Sequence, residues 1–272
     1  MVDQVMYAGL TWDYVHVVPY RLFRAVLFDF FGTLTRAVRR GRAHADIAQS
    51  LGCHPDDFFA VLDRTFRLRA TGVHGSAEAS LRWVCAQLGV RPSAERLRAA
   101  VAARVVALRI DTRLRPDAIP TLWALKRRGL RVGLVSDCGY ELPEFFPALK
   151  VAPMVDATVF SVHTGVCKPH EAMYLAACVR LGVSPWQCLY IGDGGGQELT
   201  GAKQVGMTAV KLAERDLDQH LSYLNERDWT GPSTPTLLQS LAILDGVDDT
   251  LNAWCRWRLE TARDSPGSPR PR

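Results

Sequence analysis

The sequence predicts an α/β protein in which a parallel sheet is interrupted, after its first strand, by an all-helical insertion. Three observations carry that prediction. Apolar β-type runs occupy 24–29, 131–137, 157–162, 188–193 and 207–212. From Arg115 onward, runs with helical apolar spacing alternate with these strands, which is the rhythm of βαβ units. Between the first strand and Arg115, the block 36–112 shows only the helical period.

The elements follow in order. Residues 1–22 are an aromatic-rich N-terminal extension ahead of the first strand. That strand, within RAVLFDFFGTL (24–34), ends in Asp29, and a turn carrying Gly32 and Thr33 follows. In 36–112, Phe58, Val61, Leu62, Thr65 and Phe66, then Leu81, Val84, Cys85 and Leu88, keep the helical spacing. Gly52, Gly72, Gly75, Gly89 and Pro92 break the block into about three to five helices. It reads as an inserted domain within a core of 23–35 and 113–245. Pro116 opens a helix through Leu122, Trp123 and Leu125, and Lys126, Arg127, Arg128 and Gly129 close it, a C-terminal signature. Further helices run from Pro169 to Leu181 and from Leu199 to Val205, stopped by Gly182 and Gly206. Leu237–Leu244 forms a closing helix, and 246–272 is a C-terminal segment whose end, ARDSPGSPRPR (262–272), has the composition of a disordered tail. Trp254 and Trp257, like the aromatic N-terminus, offer packing surfaces.

Composition narrows the function. The chain of 272 residues is 48% hydrophobic, enough for a real core. Its net charge of +5 comes from scattered residues, with no basic run interleaved with aromatics and no zinc-finger spacing, so no nucleic-acid partner is expected. Seven cysteines, an odd number without a CxxC pair, read as buried free thiols in a reducing cytoplasm. No apolar run of about 18 residues predicts a membrane span, and the N-terminus lacks the pattern of a signal peptide.

A parallel sheet gathers its strand ends at one edge, and here each end delivers a polar group. They are Asp29, Ser136, Lys168 in CKP, and Asp193 in IGDGGGQE with Glu198 shortly after. A carboxylate nucleophile, a hydroxyl donor, a cation and an acidic pair suit substitution at an electrophilic phosphorus or carbon. For phosphoryl transfer, Mg²⁺ would take oxygen donors from Asp29, Asp193 and the Phe31 backbone carbonyl, with Glu198 binding directly or through water. Thr33 and Ser136 would hydrogen-bond the phosphoryl oxygens, Gly32 and Asp137 would complete the phosphate loop, and Lys168 would neutralise charge. Asp193 read alone would only cap the next helix, and Glu198 alone would pair with Lys203.

The motifs DFFGTL (29–34), VSD (135–137), KP (168–169) and GDGGGQELTGAKQVGM (192–207) together resemble the haloacid dehalogenase superfamily, across about 24–212. The resemblance implies a Rossmann-like core, a helical cap that closes over the site and selects a small-molecule substrate, phosphorylated or halogenated, and a covalent intermediate on Asp29. Closure would hinge near 34–37 and 112–116. Phosphatases of that superfamily usually carry a second Asp two residues after the nucleophile, as acid and then base. Here Phe31 stands there. Losing a positioned acid/base costs about 10²–10⁴-fold.

Three functions therefore remain open at this point. One is a Mg²⁺-dependent phosphohydrolase or phosphotransferase that needs no acid or recruits one from the cap, for example His44. Another is a carbon–halogen hydrolase, which the resemblance ties to an aromatic at this position but to no Gly-Asp in the fourth motif. The third is a regulatory or binding module with little turnover. The phosphonatase type is excluded, because it needs a cap lysine and 36–112 contains none. Arg39, Arg40, Arg42 and His44 follow the first motif and would meet an anionic substrate on closure, against a simpler reading as a solvated helix face.

Overall fold

A computed structural model describes residues 23–214, 216–217 and 225–246; the N-terminal extension, Trp254, Trp257, Cys255 and the 262–272 tail lie outside the described residues. The strands are β1 (Ala25–Phe28), β2 (Arg131–Ser136), β3 (Ala157–Phe160), β4 (Cys188–Gly192), β5 (Thr208–Leu212) and β6 (Ser233–Thr234). They form one six-stranded sheet in the order β3-β2-β1-β4-β5-β6, with every neighbouring pair parallel. The Rossmann-like core expected from the sequence is present. The order reverses between β1 and β4, and such a switch point opens a crevice at the C-terminal ends of the strands. β1 and β4 are four and five residues buried along their whole lengths, which explains why they read as continuous apolar runs.

Two differences from the sequence reading have local causes. The run 157–162 stops as a strand at Phe160, because Ser161–Thr164 turns into a short helix, α8, closed by Gly165 in the left-handed region. The helix expected from Pro116, α6 (Ala118–Arg127), starts two residues later, after a turn in which the Ala118 N–H donates to Arg115 O. The two-residue β6 was not expected. It extends the sheet beside Lys211 and Leu212 and is too short to carry a periodic signal.

The block 36–112 forms five α-helices: α1 (Arg42–Ser50), α2 (Pro55–Arg64), α3 (Phe66–Ala70), α4 (Ala77–Ala86) and α5 (Ala94–Asp111). Their starts follow ordinary chemistry. Pro55 takes the first turn of α2, while Ser76 and Ser93 accept from the Ala79 and Arg96 N–H groups at 3.1 and 3.3 Å. Their apolar faces bury a cluster of their own, including Ile47, Phe58, Val61, Leu81, Val84 and Leu97. Removing a large side chain such as Leu97 from such a cluster costs about 2–5 kcal/mol. A second cluster lies under the sheet, where Leu27, Val135 and Tyr190 meet Met173, Ala177 and Leu181 of α9 (Glu171–Leu181) and Leu199 of α10 (Glu198–Gln204).

The chain enters and leaves the helical block through one narrow neck. Thr35 and Leu114 form an antiparallel bridge, with Arg36 N–H to Arg113 O at 2.8 Å and Arg115 N–H to Leu34 O at 3.0 Å. These are the segments expected to hinge. Six cysteines among the described residues are buried and free. No helix among the described residues is long and apolar enough to cross a membrane.

Candidate active site

Asp29 follows β1, and its N–H continues the ladder onto β4 by donating to Ile191 O at 3.0 Å. Phe28 pairs with Ile191, so Asp29 and Asp193 leave neighbouring strands side by side at the switch point. Lys168 reaches in from the segment after α8. Its Nζ lies 2.6 Å from Asp29 Oδ1 and 2.5 Å from Glu198 Oε2. The Tyr190 hydroxyl, on β4, donates to the same Glu198 oxygen at 2.8 Å, and Gly194 N–H donates to Glu198 Oε1 at 2.9 Å. Gly192 makes this possible, because a Cβ there would collide with the Glu198 carboxylate. Glu198 thus pairs with Lys168, not with Lys203 as its sequence neighbourhood alone would have it.

Two carboxylates therefore pair with one ammonium group, and a third, Asp193, lies beside them. Oxygen atoms of Asp29, Asp193 and Glu198 all lie within 4.8 Å of one another, and all three residues are buried. Burial pushes the Asp29 carboxyl up to about 7, with Lys168 opposing and Glu198 adding to the rise. Burial likewise pushes Glu198 up to about 7, against Lys168 and with Asp193. Asp193 rises to about 6, through burial and then the Asp29 charge. Burial works against the Lys168 charge, but Asp29 and Glu198 outweigh it and hold the ammonium form well above its ordinary value. A buried cluster with this imbalance is short of positive charge.

The surrounding loops are tied down. The Asp193 carboxylate accepts from Gly195 N–H at 3.0 Å, and Asp137 accepts from Lys168 N–H at 3.0 Å. Asp137 thereby positions the lysine segment. Glu226 accepts from Leu199 and Thr200 N–H, both at 2.8 Å, and so satisfies the first turn of α10. In the turn after Asp29, Gly32 has φ +85° and spends its N–H on Thr35 Oγ1 at 3.1 Å. That N–H is engaged within the turn. Buried Arg115 donates to Gly32 O at 2.7 Å and Thr33 O at 3.0 Å, and pairs with Asp216 at 3.0 Å. The Thr33 and Ser136 hydroxyls are buried with no hydrogen-bond partner among the described residues. Unpaired buried hydroxyls are costly, and ligand oxygens would satisfy them.

Above Asp29 lies a cavity of about 430 Å³, lined on the sheet side by Asp29, Phe31, Lys168 and Asp193. From the helical block come Arg40, His44, Arg69 and Arg104. Phe31, half-buried, packs edge-on to Phe30 with ring centroids 4.9 Å apart. His44 is buried and donates through Nε2 to Asp111 at 3.0 Å. Burial and then Arg104 lower its pKa, against the pull of Asp111. Arg39 and Arg42 are exposed, the solvated face of the simpler reading.

Contacts across the cavity join the helices to the sheet loops. Arg104 binds Glu141, the first residue of α7 (Glu141–Phe145), through Nε at 2.7 Å and through a second nitrogen at 2.6 Å. Tyr140 donates to Gly72 O at 3.2 Å. Burial raises the Glu141 carboxyl, but Arg104 and the local N–H groups outweigh it, and the net shift is downward. Sequence reasoning missed Tyr190, Arg69, Arg104, Arg115 and Glu141. Only Tyr190 left a signal, as a hydroxyl inside an otherwise apolar strand run.

Residues 23–206 match the family described as a hydrolase, haloacid dehalogenase-like hydrolase. Among curated proteins, the glyceraldehyde 3-phosphate phosphatase of Methanopyrus kandleri is 35% identical over 118 residues, 41% of this chain and 50% of its own length. The glyceraldehyde 3-phosphate phosphatase of Pyrococcus furiosus is 30% identical over 145 residues, 51% and 58% of the two chains. The chain spans about half the length of these curated relatives. Among solved structures, the L-2-haloacid dehalogenase of Xanthobacter autotrophicus with chloropropionic acid covalently bound has a TM-score of 0.57 at 18% identity, covering 82% of this chain and 99% of that one. A HAD phosphatase from Thermococcus onnurineus has a TM-score of 0.54 at 23% identity, covering 82% and 98%. At these identities the structural likeness is one of fold.

Proposed function

The chain belongs to the haloacid dehalogenase-like hydrolase family, and from that premise we propose that it is a Mg²⁺-dependent hydrolase or transferase of small phosphate esters with Asp29 as the covalent nucleophile. The observation that carries the reading is the buried oxygen cluster of Asp29, Asp193 and Glu198 beside a single lysine. Mg²⁺ prefers such hard oxygen donors, usually one or two carboxylates completed by water and phosphate oxygens. Asp29, Asp193 and the Phe31 carbonyl would hold it, with Glu198 nearby but already engaged by Lys168, Tyr190 and Gly194. Bound there, it would neutralise charge on the transferring phosphoryl group. The names of the curated relatives support the phosphatase type.

The residues then take these roles. An Asp29 oxygen attacks phosphorus, and the bond from phosphorus to the ester oxygen breaks. Lys168 balances charge on Asp29 and on the phosphoryl oxygens, held in place by Glu198 and Tyr190. Ser136 and Thr33 turn their unpaired hydroxyls to those oxygens. Water attacks phosphorus of the aspartyl phosphate, releasing phosphate and restoring Asp29. No carboxyl stands at Phe31 to protonate the departing oxygen, so the site favours esters whose leaving group departs as an anion. The helical block acts as the cap that covers the reaction and chooses the substrate.

Phe31 also favours a second reading, carbon–halogen hydrolysis, since halide leaves without a proton. Asp193 weighs against it, as a second carboxylate beside the nucleophile disfavours approach of an anionic haloacid. The test of the first reading is turnover of p-nitrophenyl phosphate. Mg²⁺ should support it, EDTA should abolish it and Asp29→Asn should remove it. Metal-independent turnover would overturn the reading.

A further inference from the structure

The cavity above Asp29 has one cationic wall, formed by Arg40, Arg69 and Arg104 from three separate parts of the helical block. Two of the three are neutralised. Arg40 pairs with Asp63, and Arg104 pairs with Glu141 at 2.6 Å. Arg69 differs. It is buried, and its guanidinium donates to Leu62 O at 2.7 Å and to Thr65 Oγ1 at 3.2 Å. Both acceptors are neutral, and among the described residues no carboxylate lies within ion-pair distance of it. A buried cation without a direct ion pair is costly; Arg104 and Arg40 add to the cost as like charges, and Glu141 and Asp63 offset part of it from beyond ion-pair distance. Burial and then Arg104 lower the Arg69 pKa to about 10, which leaves it charged at neutral pH. The space is also bounded by Val38, Leu62, Phe66 and Leu108, which suit a short carbon chain.

We propose that the substrate carries a second anionic group, remote from the phosphoryl group at Asp29, and that Arg69 is the residue that binds it. The substrate class is then a small phosphate ester bearing a carboxylate or a second phosphate. This rests on the phosphoester reading of the same site. The guanidinium fork suits either anion, and the direct ion pair that the described residues do not give it arrives with the ligand. An ester of the same size without a second anionic group leaves Arg69 unpaired and binds more weakly.

The test is binding calorimetry with Mg²⁺ on Asp29→Asn protein, which holds ligands without consuming them. The probes are ethyl phosphate, phosphoglycolate and propane-1,3-diol bisphosphate. At least one of the two probes with a second anionic group should bind about tenfold to a hundredfold more tightly than ethyl phosphate, the range of a charge-assisted hydrogen bond. Preference for phosphoglycolate assigns a carboxylate, and preference for the bisphosphate assigns a phosphate. Arg69→Gln should bring the three affinities together. Arg69→Lys keeps the charge but loses the fork, so the preference should shrink without vanishing, which decides the matter if Arg69→Gln does not fold. Equal affinities in the Asp29→Asn parent, no binding of any probe, or a preference unchanged by both Arg69 substitutions would overturn the proposal. Failure of p-nitrophenyl phosphate turnover in the unmodified protein would count against the phosphoester reading alone, because the affinity ratio is read without catalysis.

Discussion

Replacing Phe31 by Asp tests the account at the residue that makes this site unusual. The substitution removes a half-buried ring and its edge contact with Phe30 at 4.9 Å. That contact is worth about 0.5–1.5 kcal/mol, and half of a fully buried aromatic contributes about another 1 kcal/mol. The variant should therefore lose about 1–3 kcal/mol of stability, which a domain of ordinary stability tolerates. In return, a carboxyl enters the cavity wall beside Asp29 and Asp193. A positioned acid is worth about 10²–10⁴-fold, or roughly 3–5 kcal/mol of barrier. The gain should depend on the leaving group. For glycerol 3-phosphate, whose alkoxide needs a proton, kcat/KM should rise about 100-fold or more. For p-nitrophenyl phosphate, whose phenolate leaves unaided, it should rise less than about tenfold. The ratio kcat/KM is the right measure, as it reports the steps through the first bond cleavage and is blind to later hydrolysis of the aspartyl phosphate. Equal rises for both substrates, or none in a folded variant that binds Mg²⁺, would refute the claim that a missing acid limits this site.

Two further outcomes follow from the buried charges. Lys168→Met leaves Asp29 and Glu198 without their shared cation and should cost about 3–5 kcal/mol in urea unfolding, with loss of phosphatase turnover; a cost below about 1 kcal/mol would mean that the ammonium does not hold the cluster. Glu141→Gln should weaken the link to Arg104 in a pH-dependent way. The folded-state pKa of Glu141 is lowered from 4.5, so its stabilisation is complete above that value and is lost as pH falls through the folded pKa. The stability difference between parent and variant should be full near about pH 6 and shrink below about 4.5, as read from urea midpoints; a difference that stays constant across that range would contradict the assignment.

Much of the core was legible in the sequence because parallel strands buried on both faces leave unbroken apolar runs. A polar residue ending such a run is conspicuous. That logic pointed to Asp29, Ser136, Lys168 and Asp193; Asp29, Lys168 and Asp193 lie together at the switch between β1 and β4, and Ser136 ends the neighbouring β2. What escaped depends on tertiary placement. Glu198 opens α10, and in sequence its nearest cation is Lys203. Only the crossing of the Lys168 segment over β4 brings the buried ammonium to it, with room left by Gly192. Arg69 and Arg67 sit two residues apart on one short helix, and nothing local says that one of them is buried over the site. Arg104 similarly belongs to a helix whose sequence is arginine-rich on several faces, so its partner Glu141 follows only from how that helix meets the sheet loops. The end of the third strand was misplaced because Ser161 and Val162 continue its apolar pattern while already in helical conformation.

The central claim is that the acidic cluster at the end of β1 and β4 serves metal-dependent chemistry on phosphorus. Its most direct test is a paired assay on one preparation, following phosphate release from p-nitrophenyl phosphate and chloride release from 2-chloropropionate, each with Mg²⁺ and with EDTA. Phosphate release that EDTA abolishes, with no chloride release in either condition, is the expected result. Chloride release that is indifferent to EDTA, with no turnover of the phosphate ester, would contradict it.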